Sequence, residues 1–456
     1  MQDARRWAQE EFSSADLGDQ RRTKRLVAVA AAFAKRPAGT ITNVVRGAAR
    51  EAAFRFVENE AVESAAIASS SHAATARRCF KHPEIVVAVD QSSLKITDRV
   101  RKPGFGRTGI SRESRNTAGL QVMTALAVDA QGVTQGLVGQ QWWARQELSP
   151  EWDKDKRPDQ ERESDLWRRT LCQANDTLCR EAPGTKPWYQ LDRGADCRAV
   201  IDLALKLELK VTIRSAHNRA MTNGHYLHDW VRSRPRLGRY TLLIPPRWGR
   251  LGRRAELAVR ATAVEILLKD RSGRARVVVL HCVHVREQRA SPRGERLEWF
   301  LLTTAPVRTL SAAHRVIAGY SRRWRVEEFH RAWKSGVCCI EDSQLRSADV
   351  FKRWATIGAA VAARAERLKH QSRTSANVAA ATELTRDEID AAILLSETKK
   401  HVMGDKLTLA QAVALIAEVG GYVGKSSGGP PGIRVIQRGL DQVLPAATAL
   451  RAMRSD

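Results

Sequence analysis

Ile85-Val86-Val87-Ala88-Val89-Asp90 is a short, mostly β-branched run that ends in a carboxylate. Such a run predicts a buried strand, and it places Asp90 at the C-terminal end of that strand. After a polar loop over residues 99–115, apolar runs predict further strands, at residues 120–128, 133–143, 188–191 and 211–213. Helical patterns over 165–180 and 199–207 separate the later strands, after a charged linker over 147–163. The chain is therefore predicted to be an α/β protein.

Three strands in a meander followed by alternating helices and strands is the order of a ribonuclease-H-like core, which we place at residues 83–372. A β-rich stretch at about 219–304 is predicted to be a subdomain inserted into that core. Residues 1–82 and 373–456 are predicted to be helical, and the second of these segments is interrupted by Gly420-Gly421 and by glycines and prolines over 428–432.

The charge of the chain points to a polyanionic partner. Its 456 residues include 76 Lys and Arg against 50 Asp and Glu, a net charge of +26. Such an excess favours nucleic acid as the partner and makes an ordinary small-molecule enzyme less favoured. The sequence contains neither an apolar run of transmembrane length nor a signal-peptide core, so we expect no membrane association and a cytoplasmic location. The 7 cysteines include no CxxC pair, which argues against a disulfide framework.

A basic cluster near the N-terminus is a candidate DNA contact. Arg21, Arg22 and Arg25 belong to one predicted helix, and Asp19 stands ahead of them as a candidate N-cap. A solvated helix face explains the cluster equally well, so both interpretations remain open from the residues alone.

The segment from Tyr320 to Lys334 reads YSRRWRVEEFHRAWK. At ~100° per residue, one continuous helix would place Tyr320, Arg323, Glu327 and Lys334 within about 60° of one another. An amphipathic helix normally carries apolar residues on its buried stripe, whereas this stripe is polar. Glu327 suits a metal ion, and the two cationic side chains suit phosphate oxygens. A solvated, salt-bridged stripe is the alternative.

This Y-x2-R-x3-E-x6-K pattern resembles the signature of DDE transposases of the insertion-sequence-four family. Other segments resemble family blocks in the same order, among them residues 12–22, 88–94, 141–143, 192–196, 214–215 and 297–303. Gln91 and Ala216 depart from the family's best-known member without removing a carboxylate.

The resemblance implies that Asp90, Asp192 and Glu327 form a metal-binding catalytic triad. Mg²⁺ would be the cofactor, with Mn²⁺ expected to substitute, because both accept oxygen ligands. The implied activity is cut-and-paste transposition through a hairpin intermediate. Its substrates would be double-stranded DNA, namely the terminal repeats of the element and the target DNA. The C-terminal helices, at about 407–449, would pair two copies in a synaptic homodimer.

The resemblance also implies DNA contacts around the triad. Trp299 would stack on a flipped base, and phosphates would be held by four further side chains, those of Arg214, Tyr320, Arg323 and Lys334. The enzyme would work in the bacterial cytoplasm at the nucleoid. No Walker motif or dinucleotide fingerprint is present, so no nucleotide cofactor is expected.

Two other functions remain open from the sequence. One is a catalytically silent end-binding regulator or inhibitor of transposition that keeps the fold. The other is a general ribonuclease-H-like nuclease, which would lack a preference for particular DNA ends. Intact carboxylates count against a pure binding protein, because binding alone does not need three acids in a phosphate channel.

Overall fold

The computed structural model describes residues 4–96, 102–108, 118–144, 163–244, 252–270, 272–289, 296–398, 400–424 and 429–454. The loop predicted over 99–115 and the linker predicted over 147–163 lie mostly outside these ranges.

The N-terminal region is helical, as predicted, and its described residues form five helices. They are α1 (Ala4–Phe12), α2 (Gln20–Lys35), α3 (Ile41–Val44), α4 (Gly47–Glu58) and α5 (Ser64–Cys79). The Asp19 side chain accepts a hydrogen bond of 2.8 Å from the backbone N–H of Arg21, which satisfies one of the donors left free at the start of α2. The prediction of Asp19 as N-cap is confirmed.

Ten strands form one sheet within the described ranges. They are β1 (Glu84–Lys95), β2 (Gly106–Arg107), β3 (Ala118–Val128), β4 (Thr134–Trp143), β5 (Lys186–Leu191), β6 (Lys210–Arg214), β7 (Gly238–Ile244), β8 (Arg253–Lys269), β9 (Ala275–Glu287) and β10 (Glu298–Thr303). Their spatial order is β2-β3-β1-β5-β6-β10-β9-β8-β7, and β4 also pairs with β3. Strands β1, β5 and β6 are parallel, and the remaining pairs are antiparallel. The predicted mixed α/β plan is confirmed.

The predicted insertion does not form a sheet of its own. Strand β10 pairs with β6 in the register Leu301↔Arg214 and Thr303↔Thr212, so β7 to β10 extend the central sheet. This pairing satisfies the backbone groups on the outer edge of β6, which an independent subdomain would leave unpaired. The same segment also contains α8 (Leu227–Ser233), which the sequence pattern did not predict.

The two faces of the sheet carry different layers of helices. Side chains alternate along a strand, so Val87 and Val89 of β1 pack with α6 (Glu163–Glu181) and α7 (Arg198–Lys206). Val86 and Ala88 point to the opposite face, towards the N-terminal helices and three later helices. These are α9 (Leu310–Ser321), α10 (Trp324–Arg331) and α11 (Ala348–Thr374).

Helix α11 ties the N-terminal helices to the rest of the protein. Phe33 of α2 stacks on Trp354 of α11, with ring centroids 4.3 Å apart and planes 12° from parallel. The Trp354 indole donates a 2.9 Å hydrogen bond to the Gly39 carbonyl. Buried Arg353 donates to the carbonyls of Val57 and Val62. The predicted boundary at residue 82 stays a prediction, but these helices share one hydrophobic core with α11.

The C-terminal segment is helical, as predicted. It contains α12 (Arg386–Leu395), α13 (Leu409–Val419) and α14 (Ile433–Met453), which bury a separate apolar cluster. Gly420 caps α13, and Gly421 follows with a φ of +88°, a conformation that favours glycine. Residue 373, where this segment is predicted to start, still lies inside α11, which runs to Thr374.

No helix in the described part of the chain is both long enough and apolar enough to cross a membrane.

Replacing Trp354 with Ala should destabilise the protein by about 3–5 kcal/mol, because it removes a fully buried aromatic and its hydrogen bond. Urea unfolding followed by far-UV circular dichroism measures this loss. The control is Leu243→Ala at a side chain that is 70% exposed, where the change should stay within about 0.5 kcal/mol. Equal effects at the two positions would contradict the role given to α11.

Candidate active site

The parallel pairing of β1 and β5 brings two carboxylates side by side. Val89 of β1 lies opposite Leu191 of β5, and each of these residues is followed by an aspartate, Asp90 and Asp192 respectively. Asp192 follows β5 directly and accepts a 2.7 Å hydrogen bond from the Gly194 N–H, as N-cap of a short 3₁₀ turn.

The prediction that the first strand ends at Asp90 is wrong. Strand β1 continues to Lys95, because residues 91–95 pair with β3 in the register Gln91↔Met123 to Lys95↔Gly119. Asp90 therefore lies within a strand that is hydrogen-bonded to a neighbour on each side. That position holds its backbone more firmly than a strand end would.

Glu327 comes from α10, and the predicted continuous helix from Tyr320 to Lys334 is also wrong. Helix α9 ends at Ser321, and the N–H groups of Arg322 and Arg323 bond to carbonyls three residues back. Helix α10 then begins at Trp324, and a π-helical turn spans Ala332–Gly336. The angular positions calculated at ~100° per residue for one continuous helix therefore do not apply across this break.

Arg323 nevertheless lies between two members of the predicted triad. Its guanidinium nitrogens are 3.3 Å from Asp90 Oδ2 and 2.5 Å from Glu327 Oε1. Burial raises the pKa of Asp90 to about 7; Arg323 opposes that rise, and the charges of Asp192 and Glu327 add to it. Burial alone would lower the pKa of Arg323, but the neighbouring acids, Asp90 foremost, keep it above its ordinary value. The structure thus brings the three predicted carboxylates into one electrostatic cluster.

Three further predicted residues lie beside this cluster. The rings of Trp299 and Tyr320 meet edge to face, with centroids 5.2 Å apart. Burial raises the pKa of Tyr320 against the opposing charges of Arg323 and Arg214, with which its hydroxyl interacts. Because Leu301 lies opposite Arg214 and two residues from Trp299, alternation along β10 puts Arg214 and Trp299 on the same face of the sheet.

Lys334 lies further away, near the end of β1. Its Nζ atom is 3.6 Å from Glu341 Oε1, which also accepts a 2.8 Å hydrogen bond from the Lys95 N–H. Among the described contacts, none joins Lys334 directly to Asp90, Asp192 or Glu327.

The N-terminal arginines lie on α2. Arg21 pairs with Asp19, and Arg22 donates a 2.8 Å hydrogen bond to the Leu17 carbonyl. Arg21 and Arg25 are exposed. The described contacts do not link any of the three to the carboxylate cluster.

Sequence reasoning missed a buried ionic network directly behind Glu327. Lys369 Nζ contacts Glu366 and lies 3.2 Å from Glu328 Oε1, while Arg325 reaches Glu328 at 2.6 Å. The His370 Nε2 atom is 3.4 Å from Glu328 and 3.3 Å from Glu366. The sequence did contain a signal for this network, because residues 366, 369 and 370 share one side of α11 at spacings of three and four.

Each ionised acid in this network has a cationic neighbour. Burial would raise the pKa of Glu328, but hydrogen bonding to His370 and the charges of Lys369 and Arg325 hold it well below the ordinary value. Burial lowers the pKa of His370 to about 3, so this imidazole is neutral at physiological pH. The network joins α10 to α11 one residue from Glu327.

Two groups of side chains could be considered for a metal ion. Within the described ranges, Glu328, Glu366 and His370 have ligand atoms within 4.8 Å of one another. The Lys369 ammonium already neutralises this group. Asp90, Asp192 and Glu327 are more loosely arranged around Arg323, but all three are partly exposed and offer only hard oxygen ligands. The Asp90, Asp192 and Glu327 group therefore fits Mg²⁺ better, whereas the group that contains His370 fits a structural role.

Comparison with known families identifies two domains. Residues 4–62 match the family model described as transposase DNA-binding, and residues 154–363 match the one described as transposase DDE domain. The chain therefore carries a transposase DNA-binding domain followed by a transposase DDE domain. The second match includes Asp192 and Glu327, whereas Asp90 lies between the two matched segments.

A solved structure is also similar, at a distance. It is the cryo-EM structure of the piggyBac transposase synaptic complex with hairpin DNA, matched with 10% sequence identity and a TM-score of 0.32. The match covers 81% of this chain and 60% of that chain, so this chain spans less than two thirds of the other's length. A likeness at this level assigns neither fold nor activity.

Replacing Lys369 with Met should destabilise the protein by about 3–5 kcal/mol, because it leaves buried carboxylates without their ammonium partner. The double variant Lys369→Met/Glu366→Gln should recover most of the loss, since the unpaired charge is then gone. Urea unfolding measures both. The control, Arg55→Met, removes a surface pair with Glu51 and should cost no more than about 1 kcal/mol. A double variant no more stable than Lys369→Met would argue against the ionic explanation.

Proposed function

We propose that this protein is a cut-and-paste DNA transposase. The observation that carries the proposal is the cluster of Asp90, Asp192 and Glu327 around Arg323, in a chain with transposase DNA-binding and DDE domains. Burial raises the pKa of Asp90 to about 7, and the charges of Asp192 and Glu327 add to that rise. Such an arrangement is expected where cations and phosphates bind.

The proposed cofactor is Mg²⁺, with Mn²⁺ as a substitute. Asp90, Asp192 and Glu327 would hold it through carboxylate oxygens, the ligands that this ion prefers. When bound, it would supply activation of a water or 3′-hydroxyl and stabilisation of the leaving oxygen.

The side chains beside the carboxylates would position the DNA. Arg323 would exchange a carboxylate for a phosphate oxygen, to which its planar guanidinium can donate two hydrogen bonds. Arg214 and Tyr320 would hold neighbouring phosphates, and Lys334 would contact the backbone near the end of β1. Trp299 would stack on a base flipped out of the strained terminal duplex, because its ring lies beside Tyr320 on the same face.

The proposed reaction sequence has four steps at one site. One strand is nicked at the end of the element, and the new 3′-hydroxyl attacks the opposite strand to form a hairpin. Water then opens the hairpin, and the freed 3′-hydroxyl joins target DNA. We also propose a ribonuclease-H-like core, which rests on the order of strands and helices. The reaction steps and membership of the insertion-sequence-four family rest on the resemblance of residues 320–334 and of the other segments that resemble family blocks, which extends to the transposase of the kanamycin-resistance composite transposon.

The flanking regions would bind the ends of the element and pair two protomers. Exposed Arg21 and Arg25, with Arg22 between them on α2, would contact the terminal repeats. The helices of the C-terminal segment would form the homodimer, and apolar side chains exposed beside them offer a surface for it, namely Leu394, Leu395, Val402 and Met403. We place the protein in the bacterial cytoplasm at the nucleoid, where its DNA substrate lies.

Cleavage of labelled end DNA tests the proposal. The candidate ends are the inverted repeats flanking the gene, and the assay compares Mg²⁺ with chelator by denaturing gel. Wild type should give Mg²⁺-dependent hairpin and double-strand-break products. Asp192→Ala should lose them while still binding DNA, because one ligand of the proposed metal site is gone.

The matched control is Asp202→Ala, which removes an aspartate that pairs with Arg198 and Arg276 away from the cluster. It should cut like wild type. Specific binding with no Mg²⁺-dependent product from wild type would instead favour the catalytically silent regulator. Cutting without preference for the ends would favour a general nuclease.

Trp299→Ala should slow hairpin formation by about 10-fold or more while leaving the first nick nearly unchanged, since base stacking is worth about 1–3 kcal/mol. Single-turnover kinetics on nicked and intact ends separate the two steps. Trp299→Tyr keeps an aromatic ring and should retain most of the rate. Equal slowing of both steps by the alanine variant would contradict the stacking role.

A further inference from the structure

Five arginines converge on a pocket of about 350 Å³ far along the sheet from the first strand. We call it the arginine pocket; its arginines are Arg232, Arg236, Arg260, Arg286 and Arg296. They come from α8, the segment that follows it, strands β8 and β9, and the residues before β10. Chain segments distant in sequence therefore bring like charges together.

The arginine pocket lies on the opposite face of the sheet from Trp299. Trp299 is paired with Val285, which packs in the apolar cluster under α9. The next residue along β9 is Arg286, and alternation directs its side chain to the other face, where α8 lies. A DNA segment engaged by Trp299 and the carboxylates cannot reach through the sheet to this pocket.

Few acids neutralise the arginine pocket. Its acidic lining residue, Glu287, already pairs with Arg253, and Arg232 is paired with Glu298 at 3.2 Å. In the described ranges, the structure assigns no ion pair to Arg236, Arg286 or Arg296. Arg260 donates a 3.0 Å hydrogen bond to the Arg234 carbonyl, a neutral partner.

The crowding of these charges shows in Arg260. Burial lowers its pKa, and the neighbouring charges of Arg236 and Arg286 lower it further. Bringing unpaired guanidiniums together costs free energy that a bound anion would offset. Guanidinium groups match phosphate oxygens in geometry, which points to phosphate as that anion.

The arrangement suits a chain of phosphates better than one small anion. Arg286 and Arg296 are exposed at the rim, and exposed Arg289 extends the positive surface beyond the pocket. DNA carries a regular series of phosphates along its backbone, and a protein that neutralises several of them gains affinity from each.

We propose that the arginine pocket binds the backbone of a second duplex DNA segment, distinct from the segment held at Asp90, Asp192 and Glu327. The contacts are to phosphates, so binding is independent of sequence. The inference extends the proposed function by assigning a separate surface to a second DNA segment. Its test requires no cleavage.

Binding of a random-sequence 40-base-pair duplex tests the proposal. The variant Arg236→Ala/Arg286→Ala/Arg296→Ala is compared with wild type by fluorescence anisotropy in chelator, over a range of salt concentrations. Removing three phosphate contacts should lower the slope of log affinity against log salt by about 3 and weaken binding by about 10-fold or more.

The charge-matched control is Lys186→Ala/Lys206→Ala/Lys269→Ala, which removes three exposed cations from other surfaces. Its slope should stay close to that of wild type. A pocket variant that behaves like this control would overturn the proposal.

Chemical modification of arginine, read by mass spectrometry, supplies a direct second measurement. The random duplex should protect Arg236, Arg286 and Arg296 in wild type, and inorganic phosphate at the same phosphate concentration should not. Full protection by inorganic phosphate would overturn the proposal in favour of a small-anion site. Protection that grows with protein concentration without DNA would overturn it in favour of an acidic surface on a second copy.

The outcomes separate this inference from the proposed function. If wild type fails to cut end DNA but the pocket variant loses duplex binding, the transposase proposal fails and the arginine pocket stands. If wild type cuts the ends but the pocket variant binds random duplex like the control, the arginine-pocket proposal fails and the transposase proposal stands.

Discussion

The parallel pairing of β1 with β5 is the constraint on which the candidate site depends. Its register sets Val89 against Leu191 and so forces Asp90 and Asp192 into adjacent positions at the same level of the sheet. Burial of Asp90 disfavours its charged form and raises its pKa to about 7, and the charge of neighbouring Asp192 adds to this cost. Arg323 offsets this cost from the helical layer, and the position of α10 over β1 therefore matters as much as the strands themselves.

Helix α10 is held from two sides, by different kinds of interaction. Val326 and Phe329 are fully buried in the core beneath it, which fixes the depth of the helix. Behind it, Glu328 and Lys369 connect it to α11 through buried ionic contacts. Apolar packing alone tolerates sliding and rotation better than paired charges do. We therefore regard the network as the element that sets the direction of Glu327, the neighbour of Glu328.

One continuous sheet also separates two surfaces of different chemistry. Trp299 and Arg286 come from neighbouring strands, yet they point to opposite faces. The face with Trp299 carries aromatic side chains and acids beside arginines, a combination suited to reactions on DNA. The face with Arg286 carries arginines with few acids, a combination suited to holding DNA without reacting with it. Because β10 pairs with β6, both surfaces belong to one continuous sheet.

The sequence by itself determined the mixed α/β plan and the N-cap at Asp19, because strand propensity and capping are local properties. The roles of the side chains at the candidate site come from a family resemblance and stay a prediction. Only the tertiary structure decided that polar Gln91 continues a strand, because its backbone groups pair with β3. It also decided that the helix breaks before Trp324 and that Lys369 meets Glu328. Such contacts join residues far apart in the chain, and their free energy depends on burial and distance, which no local pattern contains.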